Sequence, residues 1–204
     1  MDFNLPEEPH QNYCKQLAKD ILGEDWIFLK INSFTLKEDL ENNISNISYE
    51  INLGGDAELF FIEGEGKGVM DALFNSIVQC LSGRFVSLNK LELGDFAIQV
   101  SFLDARRRTK TDAPVEVCLV ISTSQFVQTF FRHKSTSLMA ATIEVVRESV
   151  EYFINLEQAS VLFRENIEDA KKRNRQDLIN TNAYKMSEIV KIISLEEVLK
   201  KDGF

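Results

Sequence analysis

The stretch Ile47-Ser48-Tyr49-Glu50-Ile51-Asn52-Leu53 puts an apolar side chain at every second position and a polar one between. Successive side chains of an extended strand point to opposite faces, so this period buries one face and wets the other. A parallel sheet covered on both sides would read apolar throughout. The alternation therefore asks for an antiparallel sheet with cover on one side only. That cover follows in the chain. Met70, Leu73, Phe74, Ile77, Val78 and Leu81 recur at helical spacing and give one apolar stripe, which stops at Gly83. A fold of the α+β class is the direct consequence.

The neighbouring segments complete a unit and then repeat it. Ile27, Leu29 and Ile31 alternate with Phe28, Lys30 and Asn32; Gly54-Gly55 turns the chain; Ala57, Leu59 and Phe61 give a third strand. Further on, Val86 and Leu88 predict a strand. Phe96, Ile98, Val100 and Phe102 predict a second, and Val115, Val117, Leu119 and Ile121 a third beyond the charged turn Arg106-Arg107-Arg108-Thr109-Lys110. A polar loop over 122–134 leads to a helix from about Ser137. Leu138, Ala141, Val145, Val146, Val150 and Phe153 form its inner stripe, with Glu144, Arg147, Glu148 and Glu151 outward. The chain thus reads as duplicated βββα units, 26–83 and 84–156, each an antiparallel three-stranded sheet with a helix. Gly55-Asp56-Ala57-Glu58-Leu59 answers Thr111-Asp112-Ala113-Pro114-Val115, and the helix starts are matched at Asp71 and Ser137. Residues 1–25 read as an N-terminal linker with a helix over 10–22, and 157–204 as a helical C-terminal extension. In that extension Lys171-Lys172-Arg173-Asn174-Arg175 reads as a solvated helix face. The apolar stretch from Ile189 through Ile193 to Leu195, Val198 and Leu199 needs cover.

Several function classes are excluded by charge and spacing. A net charge of −9 opposes nucleic-acid binding, which exchanges a basic surface for counterions. No apolar run approaches the ~18 residues of a membrane span, and no signal-type segment opens the chain, so no membrane partner and a cytoplasmic location are expected. Of the three cysteines, Cys80 and Cys118 lie in apolar runs and read as small buried hydrophobes. The glycines of Gly64-Glu65-Gly66-Lys67-Gly68 stand where a phosphate cradle would, between an apolar run and a helix. No hydroxyl follows Gly66-Lys67 as a P-loop requires, the third glycine is misplaced for a dinucleotide fingerprint, and Asp71 in the first helical turn repels phosphate. The histidines, His10 and His133, form no metal-ligand pair, and no nucleophile elbow is present.

Gly66-Lys67-Gly68-Val69-Met70-Asp71-Ala72-Leu73-Phe74-Asn75 resembles the first helix start of the C-terminal regulatory domain of 2-isopropylmalate synthase and citramalate synthase, which opens on a G-N-G-P-V-D-A-like run. Lys110-Thr111-Asp112-Ala113-Pro114-Val115-Glu116-Val117 is similar to that family's G-x-D-A-x-x-x-V strand. His133-Lys134-Ser135-Thr136-Ser137-Leu138-Met139-Ala140-Ala141-Thr142 looks like a diverged copy of its second helix start. The resemblance covers about residues 26–156. His133 stands at the place of the second motif's glycine and Val69 at that of a proline, and these 204 residues hold no catalytic barrel or metal site like that of the family enzymes.

The resemblance implies a chain that is not itself an enzyme, with no catalytic residues, cofactor or metal. It implies a homodimer that binds a small amino-acid effector, leucine or isoleucine-like, and acts on a separate catalytic subunit. The positions it implies for the effector are Gly66, Lys67, Gly68, Met70, Asp71, Ala72, Asp112, Ala113, His133, Ser135, Ser137 and Leu138. The chemistry is coherent: helix N-termini offer N–H groups to a carboxylate, small residues allow close approach, and Met70 and Leu138 suit a branched side chain. The competing expectation is a dimeric interaction scaffold whose effector pocket has decayed and whose C-terminal tail engages a partner.

Overall fold

A computed structural model describes residues 9–54, 59–100, 114–124 and 127–193. Helix α1 (Pro9–Leu22) precedes strands β1 (Leu29–Asp39), β2 (Ile44–Leu53) and β3 (Leu59–Gly66) and helix α2 (Val69–Leu81). Strands β4 (Leu91–Val100), β5 (Val115–Thr123) and β6 (Gln128–Ser135) follow, then helices α3 (Leu138–Lys172) and α4 (Gln176–Ile193). The strands form two antiparallel sheets, ordered β1-β2-β3 and β4-β5-β6. The α+β class and the duplicated βββα order are as read from the sequence. In β2 the alternation buries Ile47, Tyr49, Ile51 and Leu53, and the Tyr49 hydroxyl shares a 2.7 Å hydrogen bond with Ser76 Oγ of α2.

The two units match in detail. Each first strand carries a bulge, between Ile31 and Ser33 in β1 and between Leu93 and Phe96 in β4. Beyond it Phe34 and Leu36 face Tyr49 and Ile47, as Phe96 and Ile98 face Leu119 and Val117. The third strands have 8 residues each, and their helices start on the N-caps Gly68 and Ser137. Gly66 therefore corresponds to Ser135, Gly68 to Ser137 and Val69 to Leu138. The sequence pairing of Asp71 with Ser137 is out of step, since Asp71 falls opposite Ala140. The Asp56-Ala57 and Asp112-Ala113 pairs lie outside the described residues. The strands they lead into, β3 and β5, hold different places in their sheets, so that match joins unequal positions.

Three further expectations change. Val86 and Leu88 lie in a 3₁₀ turn, Val86–Lys90, and not in a strand. Buried Glu157 of α3 accepts the backbone N–H groups of Val86 (3.0 Å) and Ser87 (2.8 Å), which holds the turn in place of sheet partners. The loop expected over 122–134 contains β6. Its adjacent Phe130 and Phe131 break the alternation because both sheet faces are partly covered there, Phe131 meeting Tyr152 edge to face at 5.5 Å between ring centres. Cys80 is exposed. Cys14 is the buried cysteine, and burial, with Glu188 beside it, pushes its thiol up to about 12.

Gly64 and Gly66 serve packing. They lie in β3, with α2 laid directly over them. A Cβ on Gly66 would sit 2.5 Å from the Ala72 nitrogen, and one on Gly64 2.7 Å from Ser76 Cβ.

Helix α3 has 35 residues, about 52 Å at 1.5 Å each. It runs unbroken through the boundary drawn after Leu156, so the extension begins inside it. Tyr152, Phe153, Ile154, Asn155, Leu156 and Glu157 are all buried, which leaves no free face there. Arg147 and Glu151, expected outward, turn inward onto the segment entering β1. Glu151 accepts from Trp26 Nε1 (3.2 Å) and Leu29 N (3.0 Å), and Arg147 donates to Leu29 O (3.3 Å). Asn155 pairs with both backbone groups of Ile27 at 2.8 Å.

A Schellman turn ends α3. Asn174 sits at φ 55, with Asn174 N donating to Lys171 O (3.1 Å) and Arg175 N to Ala170 O (2.9 Å). Lys171, Arg173 and Arg175 are solvated there and pair with Glu168, Asp169 and Asp177. Helix α4 folds back and buries Ile189, Ile192 and Ile193, which supplies the cover they required; Leu195, Val198 and Leu199 lie outside the described residues.

Gly66→Ala should lower stability by about 1–3 kcal/mol, since backbone atoms and not a flexible side chain must yield. Gly68→Ser, at an extended φ with open space around it, should change it by less than about 0.5 kcal/mol. Urea unfolding separates the two. Asn155→Ala strands both backbone groups of Ile27 and should cost about 2–3 kcal/mol in the same assay.

Candidate functional site

The starts of α2 and α3 come together beside β4 and enclose a groove of about 480 Å³. The turn into α2 supplies Lys67, Gly68, Val69, Met70 and Asp71. Helix α3 supplies Leu138, Met139 and Thr142, and β4 supplies Leu93, Phe96 and Ile98. The groove exists because of where the helices lie. Helix α2 packs on β3 and β2, and α3 on β5 and β6; neither is laid closely across β4. By register Phe96 and Ile98 share the face of the fully buried Leu119 and Val117, yet they are 49% and 48% exposed. Leu138 at the α3 start is 44% exposed.

The two helix starts are capped differently. Ser137 caps α3 from the N-cap, its Oγ accepting from Ala140 N at 3.2 Å. Gly68 has no side chain to do this for α2. Asp71, in the third helical position, reaches back instead: one oxygen accepts from Lys67 N (3.2 Å) and the other from Asn75 Nδ2 (2.7 Å). A carboxylate at this end also suits the helix dipole. The Lys67 side chain is exposed at the rim.

Of the positions implied for an effector, the groove gathers Lys67, Gly68, Met70, Asp71 and Leu138. Gly66 and Ala72 pack against each other between β3 and α2, and Ala72 is fully buried. Ser137 and Ser135 shape the turn into α3, Ser135 Oγ accepting from Ser137 N at 3.2 Å. His133 lies in β6 with its Nδ1 3.1 Å from Glu148 Oε1, away from the groove lining. Asp112 and Ala113 lie outside the described residues. Val69, Leu93, Phe96, Ile98, Met139 and Thr142 were missed as lining. The alternation marks Phe96 and Ile98 as apolar strand residues, but only the helix placement reveals that their face is uncovered.

Among the described residues, no group of three or more His, Cys, Asp or Glu side chains is placed to hold a metal ion, and no helix is long and apolar enough to cross a membrane. Compared with known proteins, the sequence matches no family model and has no significant match among curated proteins.

An uncovered β4 face carries little of the stability. Ile98→Thr should cost under about 1 kcal/mol, whereas Leu119→Ala, on the same face but under α3, should cost about 2–5 kcal/mol. Equilibrium denaturation of the two variants gives the comparison.

Proposed function

We propose that the chain is a non-catalytic regulatory module that takes a small amino-acid effector into the groove between the two helix starts. The observation that carries this is the meeting of Lys67 and Asp71 with an apolar hollow formed by Leu93, Phe96, Ile98, Leu138 and Met139. A free amino acid presents a carboxylate, an ammonium group and a side chain. The exposed Lys67 ammonium suits the carboxylate. Asp71 suits the ammonium group, and the hollow suits a branched aliphatic chain. The sequence likeness to the regulatory domain of 2-isopropylmalate synthase favours leucine or isoleucine, a homodimer, and a separate catalytic subunit as the responder. The two walls come from different repeats. A ligand that binds one spacing of those walls more tightly than another biases the module between them.

Isothermal titration with leucine, isoleucine, valine and their 2-oxo acids tests the effector. Binding of at least one, weakened about tenfold or more by Leu138→Glu, is expected; silence with all of them removes the effector from the proposal. Light scattering on the eluting protein tests the dimer separately.

A second reading, an interaction scaffold, is favoured by one observation. Phe96 and Ile98 present half-exposed apolar surface on one face of an edge strand.

A further inference from the structure

The chain closes its sheet edges unequally. At the β6 edge, Gln11 of α1 donates to Phe130 O (2.8 Å) and accepts from Phe130 N (3.1 Å), replacing the bonds of an absent neighbouring strand. At the entry to β1, Glu151 and Arg147 take the backbone groups of Leu29. Among the described residues β4 is closed less: Asp95 Oδ1 accepts from Phe96 N at 2.8 Å, and no residue of another element does this further along. It pairs with β5 on one side, no strand or helix lies along the other, and its inward-facing Phe96 and Ile98 stay half exposed. An edge strand with unpaired N–H and C=O groups is a template for a further strand, and here it borders an apolar groove.

We infer that β4 accepts an extended peptide segment of a partner protein by strand addition, the peptide backbone pairing with the β4 edge and alternate side chains entering the groove. This goes beyond the effector proposal and rests on the scaffold reading. An extended occupant fits better than a helix, because a helix would leave the β4 backbone groups unpaired. The bulge between Leu93 and Phe96 limits regular pairing to Phe96–Val100. A segment of about five residues is matched, with two or three side chains inward at a period of two. Apolar lining selects Val, Ile or Leu at those positions. Exposed Glu92 and Asp95 precede the pairing stretch, and the chain carries a net charge of −9, so Lys or Arg is selected at the peptide end that lies beside them.

Panning the full chain against a random dodecapeptide phage library tests this. Apolar residues at alternate positions with a basic flank should be enriched. A synthetic copy of the selected peptide, followed by fluorescence anisotropy, should bind at least about tenfold more weakly to Phe96→Lys and Ile98→Lys. It should weaken similarly when the peptide is N-methylated at alternate nitrogens. Both variants alter exposed side chains, and circular dichroism checks that they fold; the N-methyl comparison on the unaltered protein decides if either does not. No enrichment, enrichment at helical spacing, or indifference to N-methylation at every position overturns the inference. Leucine titration in parallel separates the two claims. Leucine binding without peptide binding defeats strand addition alone, and peptide binding without amino-acid binding defeats the effector alone.

Discussion

The polar side chains in the middle of α3 are the constraint around which the other elements are arranged. A helix buried on all sides leaves no face for water, so each polar group on it needs a protein partner or costs about 1–3 kcal/mol. Glu151, Asn155 and Glu157 find theirs in backbone that has no regular structure to satisfy it: the segment entering β1 and the 3₁₀ turn before β4. The exchange is mutual. The irregular segments obtain acceptors, and the helix obtains ligands for buried carboxylate and amide groups. Since one segment leads into the first sheet and the other into the second, α3 fixes both sheets relative to one spine.

The two units differ most plainly at the helix starts. A full capping box uses an N-cap hydroxyl and a reach-back carboxylate together. Here α3 has the hydroxyl half through Ser137, while in α2 Asp71 reaches one residue further back, to Lys67 N before the N-cap Gly68. Each suffices to begin its helix. The result is an asymmetric pair of walls around the groove, one carrying charge at Lys67 and Asp71, the other neutral and apolar at Leu138 and Met139.

The strict alternation of β2 and the stripe of α2 were legible because each has one covered face. The sequence became opaque where that condition fails. In β6, Phe130 and Phe131 are adjacent and both partly covered, so a strand read as a loop. Val86 and Leu88 imitate alternation while belonging to a turn held by Glu157, a partner some 70 residues away. Arg147 and Glu151 look like solvent-facing charges on a wheel and are instead tied to Leu29. The groove was half legible. The helix starts carry a local motif, whereas the exposure of Phe96 and Ile98 depends on which strands the helices cross, and no local pattern records that.

The contact of Gly64 and Gly66 with α2 has a mechanical consequence. Atoms at that seam are already as close as glycine permits, so α2 can neither roll on β3 nor slide along it without a clash. The wall built on the start of α2 is therefore a fixed jaw. Across the groove from it stand the start of α3 and β4, which among the described residues pairs with β5 and is bent at its bulge. The groove therefore has one wall set by the glycine seam and another set by a bulged strand and a helix start.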